Sequence, residues 1–166
     1  MSWVRGAVTV LALWLWGPAS GMAGETSGLP LPRFVSLKSD EVNLRTGPGV
    51  RYPIDWIYTR KDLPVEIVAE FEAWRKIRDW EGAEGWVHQS MLSGRRMMVV
   101  IGREGRVLRT SDSESSDPVA QVTPGVLGRI LQCPRNRDFC RVEIGHSQGW
   151  LKRDYLWGVY KGEWLE

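Results

Sequence analysis

Two short motifs recur along this chain at one spacing. Leu44-Arg45-Thr46 returns as Leu108-Arg109-Thr110, and Gly85-Trp86-Val87 returns as Gly149-Trp150-Leu151, each 64 residues later. Leu92 and Leu156 keep the same offset, while Pro53 and Pro118, and Ile77 and Val142, slip by one residue, as loops allow. Matches in order at a fixed period predict an internal duplication. A chain of 166 residues that is duplicated in this way can hold two small domains rather than one large core.

Each unit is a series of short strands divided by turns. Val42 and Leu44 alternate with Asn43 and Arg45, the pattern of a half-buried strand. Thr46-Gly47-Pro48-Gly49 cannot continue that strand, because Pro lacks an N–H and Gly favours turns. Asp55–Tyr58 predicts a short aromatic strand, Pro64–Phe71 a longer one and Trp74–Asp79 an alternating one. Gly85-Trp86-Val87 opens the last strand, and His88–Leu92 has the length of one 3₁₀ turn. Five or so strands in sixty residues predict a small closed or nearly closed β-barrel, and no segment has the length and 3.6 period of a substantial helix. The second unit departs at one place. Its Thr110–Pro118 stretch replaces the Gly-Pro-Gly turn and Tyr52 with an acidic, serine-rich loop, so the two loops should not bind the same ligand.

The first residues carry a different signal. Arg5 is the only charge before Glu25, and an apolar run follows from Gly6 to Trp16. Gly17-Pro18 ends it and small residues lead to Ala23, the order of a cleavable secretion signal. A run of about 11 residues is short for a span, which needs roughly 20. Removal of residues 1–23 leaves 21 Lys+Arg against 20 Asp+Glu, a balance that offers no broad footprint for nucleic acid or an acidic membrane. The mature protein is expected to be periplasmic or secreted, without a stable membrane span.

Cys133 and Cys140 are the only cysteines. They flank a polar turn between two strand-like stretches, so a hairpin would bring them together, and an oxidising compartment favours a disulfide. Two thiols without a nearby His make a poor metal site, and the spacing is not C-x-x-C. Seven of the ten tryptophans lie beyond the signal, the large side chains that a thin β core requires.

Asn43-Leu44-Arg45-Thr46-Gly47-Pro48-Gly49, followed by Tyr52-Pro53 and then Gly85-Trp86-Val87, resembles the bacterial SH3-like (SH3b) domain. Glu70-Phe71, Trp74–Asp79, Glu84–Ser90 and Leu156–Tyr160 extend the resemblance to an exported proteobacterial subfamily with two such domains. The expected fold is all-β: two tandem small SH3-like β-barrels after a signal peptide. The expected division is signal 1–23, flexible leader 24–33, first domain 34–94, connector 95–105 with a strand core, and second domain 106–166 with an aromatic tail. The resemblance implies a non-catalytic binding role in the cell envelope, towards peptidoglycan or its stem peptides. The alternative is a structural or assembly scaffold for another periplasmic protein.

Candidate ligand-binding residues in the first unit are Arg45, Tyr52, Trp56, Trp74 and Trp80. Exposed aromatics with a few polar groups between loops are what a small barrel offers a peptide or glycan. Trp86 and Trp150 follow Gly at a strand start in both units and are expected in the core. Trp80, beside the Glu81-Gly82 turn, fits core or surface equally. The two histidines, His88 and His146, lie near turns, and neither H-E-x-x-H nor G-x-S-x-G occurs. No catalytic residue, metal site or cofactor is expected.

Overall fold

The computed structural model describes residues 26–166. The expected signal, residues 1–23, and the start of the leader lie outside the described residues. Fourteen strands follow. The first seven are β1 (Arg33–Leu37), β2 (Val42–Arg45), β3 (Ile54–Tyr58), β4 (Pro64–Phe71), β5 (Trp74–Arg78), β6 (Glu84–His88) and β7 (Leu92–Ser93). The second set is β8 (Met97–Val100), β9 (Arg106–Arg109), β10 (Pro118–Val122), β11 (Leu127–Gln132), β12 (Phe139–Ile144), β13 (Ser147–Lys152) and β14 (Leu156–Trp157). Each set forms one antiparallel sheet, in the order β3-β2-β6-β5-β4-β1-β7 and β10-β9-β13-β12-β11-β8-β14. Raising every number of the first order by seven gives the second, so the duplication is structural. The two sheets are open in hydrogen-bonding terms: among the described residues no ladder joins β3 to β7 or β10 to β14.

The recurring motifs turn out to be neighbours. Arg45 on β2 pairs with Trp86 on β6, and Arg109 on β9 pairs with Trp150 on β13. The glycine before each Trp is required by packing. A Cβ at Gly85 would lie 2.5 Å from Leu44 Cγ, and one at Gly149 would lie 2.6 Å from Leu108 Cγ. Because strand side chains alternate, Gly85 and Val87 face the core and Trp86 faces away. Trp86 and Trp150 are therefore half-buried on the opposite face, not core residues. The first core is built from Leu37, Val42, Leu44, Val65, Ile67, Ile77 and Val87, with Trp80 packed against it. The second holds Met98, Leu108, Val142, Leu151 and both cysteines.

The boundary between the units falls earlier than the sequence indicates. Met97–Val100, expected within a connector over 95–105, is β8, the counterpart of β1 and an integral strand of the second sheet. Met98, Val99 and Val100 are all essentially inaccessible. A strand buried on both faces reads as a continuous apolar run without alternation, which hides its register in the sequence. The leader is also more ordered than its composition suggests: the Ser27 hydroxyl and backbone N–H both donate to the Glu70 carboxylate at 2.7 Å. The C-terminal tail docks on the first unit. Phe34 on β1 meets Trp157 edge-on at 5.1 Å and Tyr160 at 4.6 Å, and Tyr160 donates to buried Glu66 at 2.8 Å.

Candidate functional site

The Gly47–Pro53 turn of the first unit is held from below by Arg45. Its Nη1 donates to the carbonyls of Val50 (3.2 Å) and Tyr52 (2.8 Å), while Thr46 N–H donates to Pro53 O at 3.1 Å. Tyr52 folds over the turn and lies flat on Gly47, where a Cβ would come within 2.6 Å of ring carbon Cε1. Glycine is thus demanded there by the close approach of the ring. Opposite this turn stands the β4–β5 hairpin, whose last pair is Phe71 with Trp74. Glu72 at its tip has φ 49°, a left-handed conformation unusual for a side-chain-bearing residue.

Between the two lies an open groove of about 600 Å³. Pro48, Val50 and Arg51 form one wall, Phe71 and Trp74 the other, and His88 lines it too. Val50 is 79% exposed and Phe71 39%, so both present apolar surface to solvent. His88 meets Trp74 edge-on at 5.4 Å. Its Nδ1 accepts from Ser90 N–H at 3.3 Å, which caps the 3₁₀ turn Gln89–Met91, and lies 2.7 Å from Ser90 Oγ. A neutral imidazole with an acceptor Nδ1 carries its proton on Nε2. The arrangement is suited to recognition: an aromatic and aliphatic cleft with an imidazole, a guanidinium (Arg51) and a carboxylate (Glu72) at its margin.

Of the five candidate residues, the structure brings Trp74 to the groove and Tyr52 beneath its wall, with Arg45 holding that wall in place. Trp56 stands apart on β3, an edge strand, 60% exposed between exposed Ile54 and Ile57. Trp80 packs against the first core. It sits in a turn fixed by buried Asp79, whose carboxylate accepts from Tyr58 OH at 3.0 Å and from the N–H groups of Glu81 and Ala83. Phe71 and His88 are not among the five candidates. They reach Trp74 through pairing registers, Phe71 opposite it across β4–β5 and His88 opposite it across β5–β6.

The second unit repeats the support without the groove's apolar wall. Arg109 Nη1 donates to Ser116 O at 2.6 Å and Thr110 N–H to Asp117 O at 3.0 Å, the counterparts of the Arg45 and Thr46 bonds. In place of the tyrosine, Ser116 Oγ donates to Ser111 and Ser113 carbonyls. The Cys133–Cys140 disulfide is formed.

Residues 38–94 match the family described as bacterial SH3 domain. It is the first unit that carries this match. The match covers β2 to β7, including both walls of the groove, and the second unit shares the SH3 unit's strand order. No curated protein matches the chain. Among solved structures, NlpC1 from Trichomonas vaginalis is similar over 86% of this chain and 50% of its own length, with 16% identity and a TM-score of 0.35. NlpC2 from the same organism is similar over 78% of this chain and 48% of its own, with 15% identity and a TM-score of 0.34. The chain thus spans about half the length of these structures.

Proposed function

We propose that this protein is an exported, non-catalytic binding protein of the bacterial cell envelope, and that its first SH3 domain takes a peptide of the cell wall in the Val50–Trp74 groove. The observation that carries this is the groove itself: exposed apolar side chains held open by a clamped turn and a hairpin tip. A preformed apolar cleft with few polar groups binds without a large ordering cost. An extended peptide suits its open shape, with His88 Nε2 and Arg51 as donors for peptide carbonyls or a carboxylate, and Glu72 as an acceptor for an amine. The signal-like first 23 residues and the disulfide support an oxidising compartment outside the cytoplasm. Among the described residues no helix is long and apolar enough to cross a membrane.

Titration of the oxidised protein with soluble wall muropeptides, followed by amide NMR, tests this. The expected shifts are confined to residues 47–52, 71–74 and 88. Shifts centred elsewhere, or none, would remove the groove as the ligand site.

A scaffold role is the second reading, and β3 favours it. An edge strand with Ile54, Trp56 and Ile57 exposed offers unpaired backbone and apolar surface to another chain.

A further inference from the structure

The disulfide hairpin and the C-terminal tail of the second unit enclose a cleft of about 750 Å³ that is independent of the SH3 groove. The hairpin tip supplies Arg135, Arg137 and Asp138, and the tail supplies Lys161 and Trp164. The two walls are tied together in two ways. Cys133 and Leu165 exchange backbone hydrogen bonds at 2.8 and 3.1 Å. Arg153, 7% exposed, donates from Nε to Arg137 O (2.8 Å), from Nη1 to Glu163 O (2.6 Å) and from Nη2 to Pro134 O (2.8 Å). Its guanidinium is therefore buried among carbonyls, and among the described residues no carboxylate pairs with it. This buried cation, which also favours the ionised Glu163 carboxyl, adds positive potential to the adjoining space.

The rim adds to that charge. Arg135 lies over the Trp164 ring at 4.4 Å, and Trp164 remains 45% exposed. Among the described residues neither Arg135 nor Lys161 has a carboxylate partner. Arg137 contacts Asp112 at 3.4 Å and is still largely exposed. Four cationic groups thus surround a cleft whose only acids are Asp138 and Asp154. Those two acids discriminate: they repel a dense dianion such as phosphate, and they accept hydrogen bonds from hydroxyl groups. An exposed indole beside a guanidinium fork suits a hydroxylated ring that presents C–H groups to the indole and carries one carboxylate. The volume holds one or two sugar rings.

We propose that this cleft is a binding site for a carboxylated sugar. Arg135 and Lys161 take the carboxylate, Trp164 packs against the ring, and Asp138 and Asp154 accept from its hydroxyls. The carboxylate is that of a lactyl ether or of a uronate.

The test is an NMR titration of the oxidised protein, read at the Trp164 indole N–H and at the amides of residues 135–138 and 161. The probes are N-acetylmuramic acid, glucuronic acid, N-acetylglucosamine and inorganic phosphate. Saturable shifts with either carboxylated sugar, and weaker ones with N-acetylglucosamine and phosphate, support the site, and which acid binds identifies the source of the carboxylate. Lys161→Gln and Trp164→Ala are each expected to weaken binding about tenfold, the loss of one charge-assisted or stacking contact, and Lys161→Arg to keep it. Both positions are exposed, and unchanged spectra elsewhere establish the fold. Equal binding of the neutral sugar, tighter binding of phosphate, or no shift with any probe overturns the proposal.

Discussion

Arg45 and Arg109 stand at matching positions and hold matching loops, each reaching seven residues ahead to a backbone carbonyl. In the sequence such an arginine is indistinguishable from a solvated one, because its alternation points it away from the core. Only the folded turn reveals that its donors are spent on carbonyls. Trp86 and Trp150 show the opposite difficulty. Their bulk suggests the core, but the glycines beside them are the core-facing positions, pressed by Leu44 and Leu108. Glu70 is a further case where the partner decides. Burial would raise its carboxyl, but hydrogen bonds from Ser27 and Arg33 outweigh this and lower it to about 2. A depressed carboxyl contributes stability that is present above its unfolded value of about 4.5 and lost as pH falls towards 2. The stability difference between the wild type and Glu70→Gln, measured by denaturant unfolding from pH 6 to pH 2, is therefore expected to be constant above pH 5 and to shrink below it. A difference that does not change with pH would mean that the bonds from Ser27 and Arg33 to Glu70 are not formed in solution.

At the level of elements, the strands and their duplication were legible but their order was not, since only the folded sheets show that the motifs recurring at 64 residues lie on strands that pair. The short strands, the turn after Thr46, the 3₁₀ turn after His88 and the cysteine hairpin follow from alternation and turn chemistry. β8 was not legible as part of a sheet, because a strand buried on both faces loses its period. The groove was legible in part: Trp74 and Tyr52 mark it, but Phe71 joins them only through the register of β4 with β5. The disulfide hairpin is the element that organises the tail, through the Cys133–Leu165 bridge and the carbonyls gathered by Arg153. Closing so short a loop stabilises by about 2–3 kcal/mol in the chain-entropy picture. Reduction is expected to lower the midpoint of unfolding accordingly and to speed hydrogen exchange at the Leu165 amide, which donates to Cys133. Unchanged protection of Leu165 on reduction would show that the tail is held without the disulfide.

For the whole molecule, the two units are joined by more than the chain between them. Glu66, 3% exposed on β4, accepts from Arg78 of its own unit (3.0 Å to Nε) and from Tyr160 of the tail. Phe34 packs between Trp157 and Tyr160, Arg60 donates to Gly125 O at 3.0 Å, and Leu127 of the second unit reaches the first core. Glu66 and Tyr160 are 94 residues apart, so no local pattern announces the bond. Tyr160→Phe removes one hydrogen bond to a buried carboxylate, worth about 1.5–3 kcal/mol. Calorimetry is expected to show one unfolding transition for the wild type and a broadened or split one for the variant. A single transition of unchanged midpoint would mean that the units are not coupled through Glu66.

The central claim is that the SH3 groove, and not the exposed β3 edge, is the contact with the cell wall. Co-sedimentation of the oxidised protein with purified sacculi, beside Trp74→Ala and Trp56→Ala variants that keep the wild-type far-UV spectrum, tests it most directly. The account predicts that the wild type and Trp56→Ala pellet alike with sacculi and that Trp74→Ala pellets markedly less. Pelleting that survives Trp74→Ala but is lost with Trp56→Ala, or a wild type that does not pellet, would contradict it.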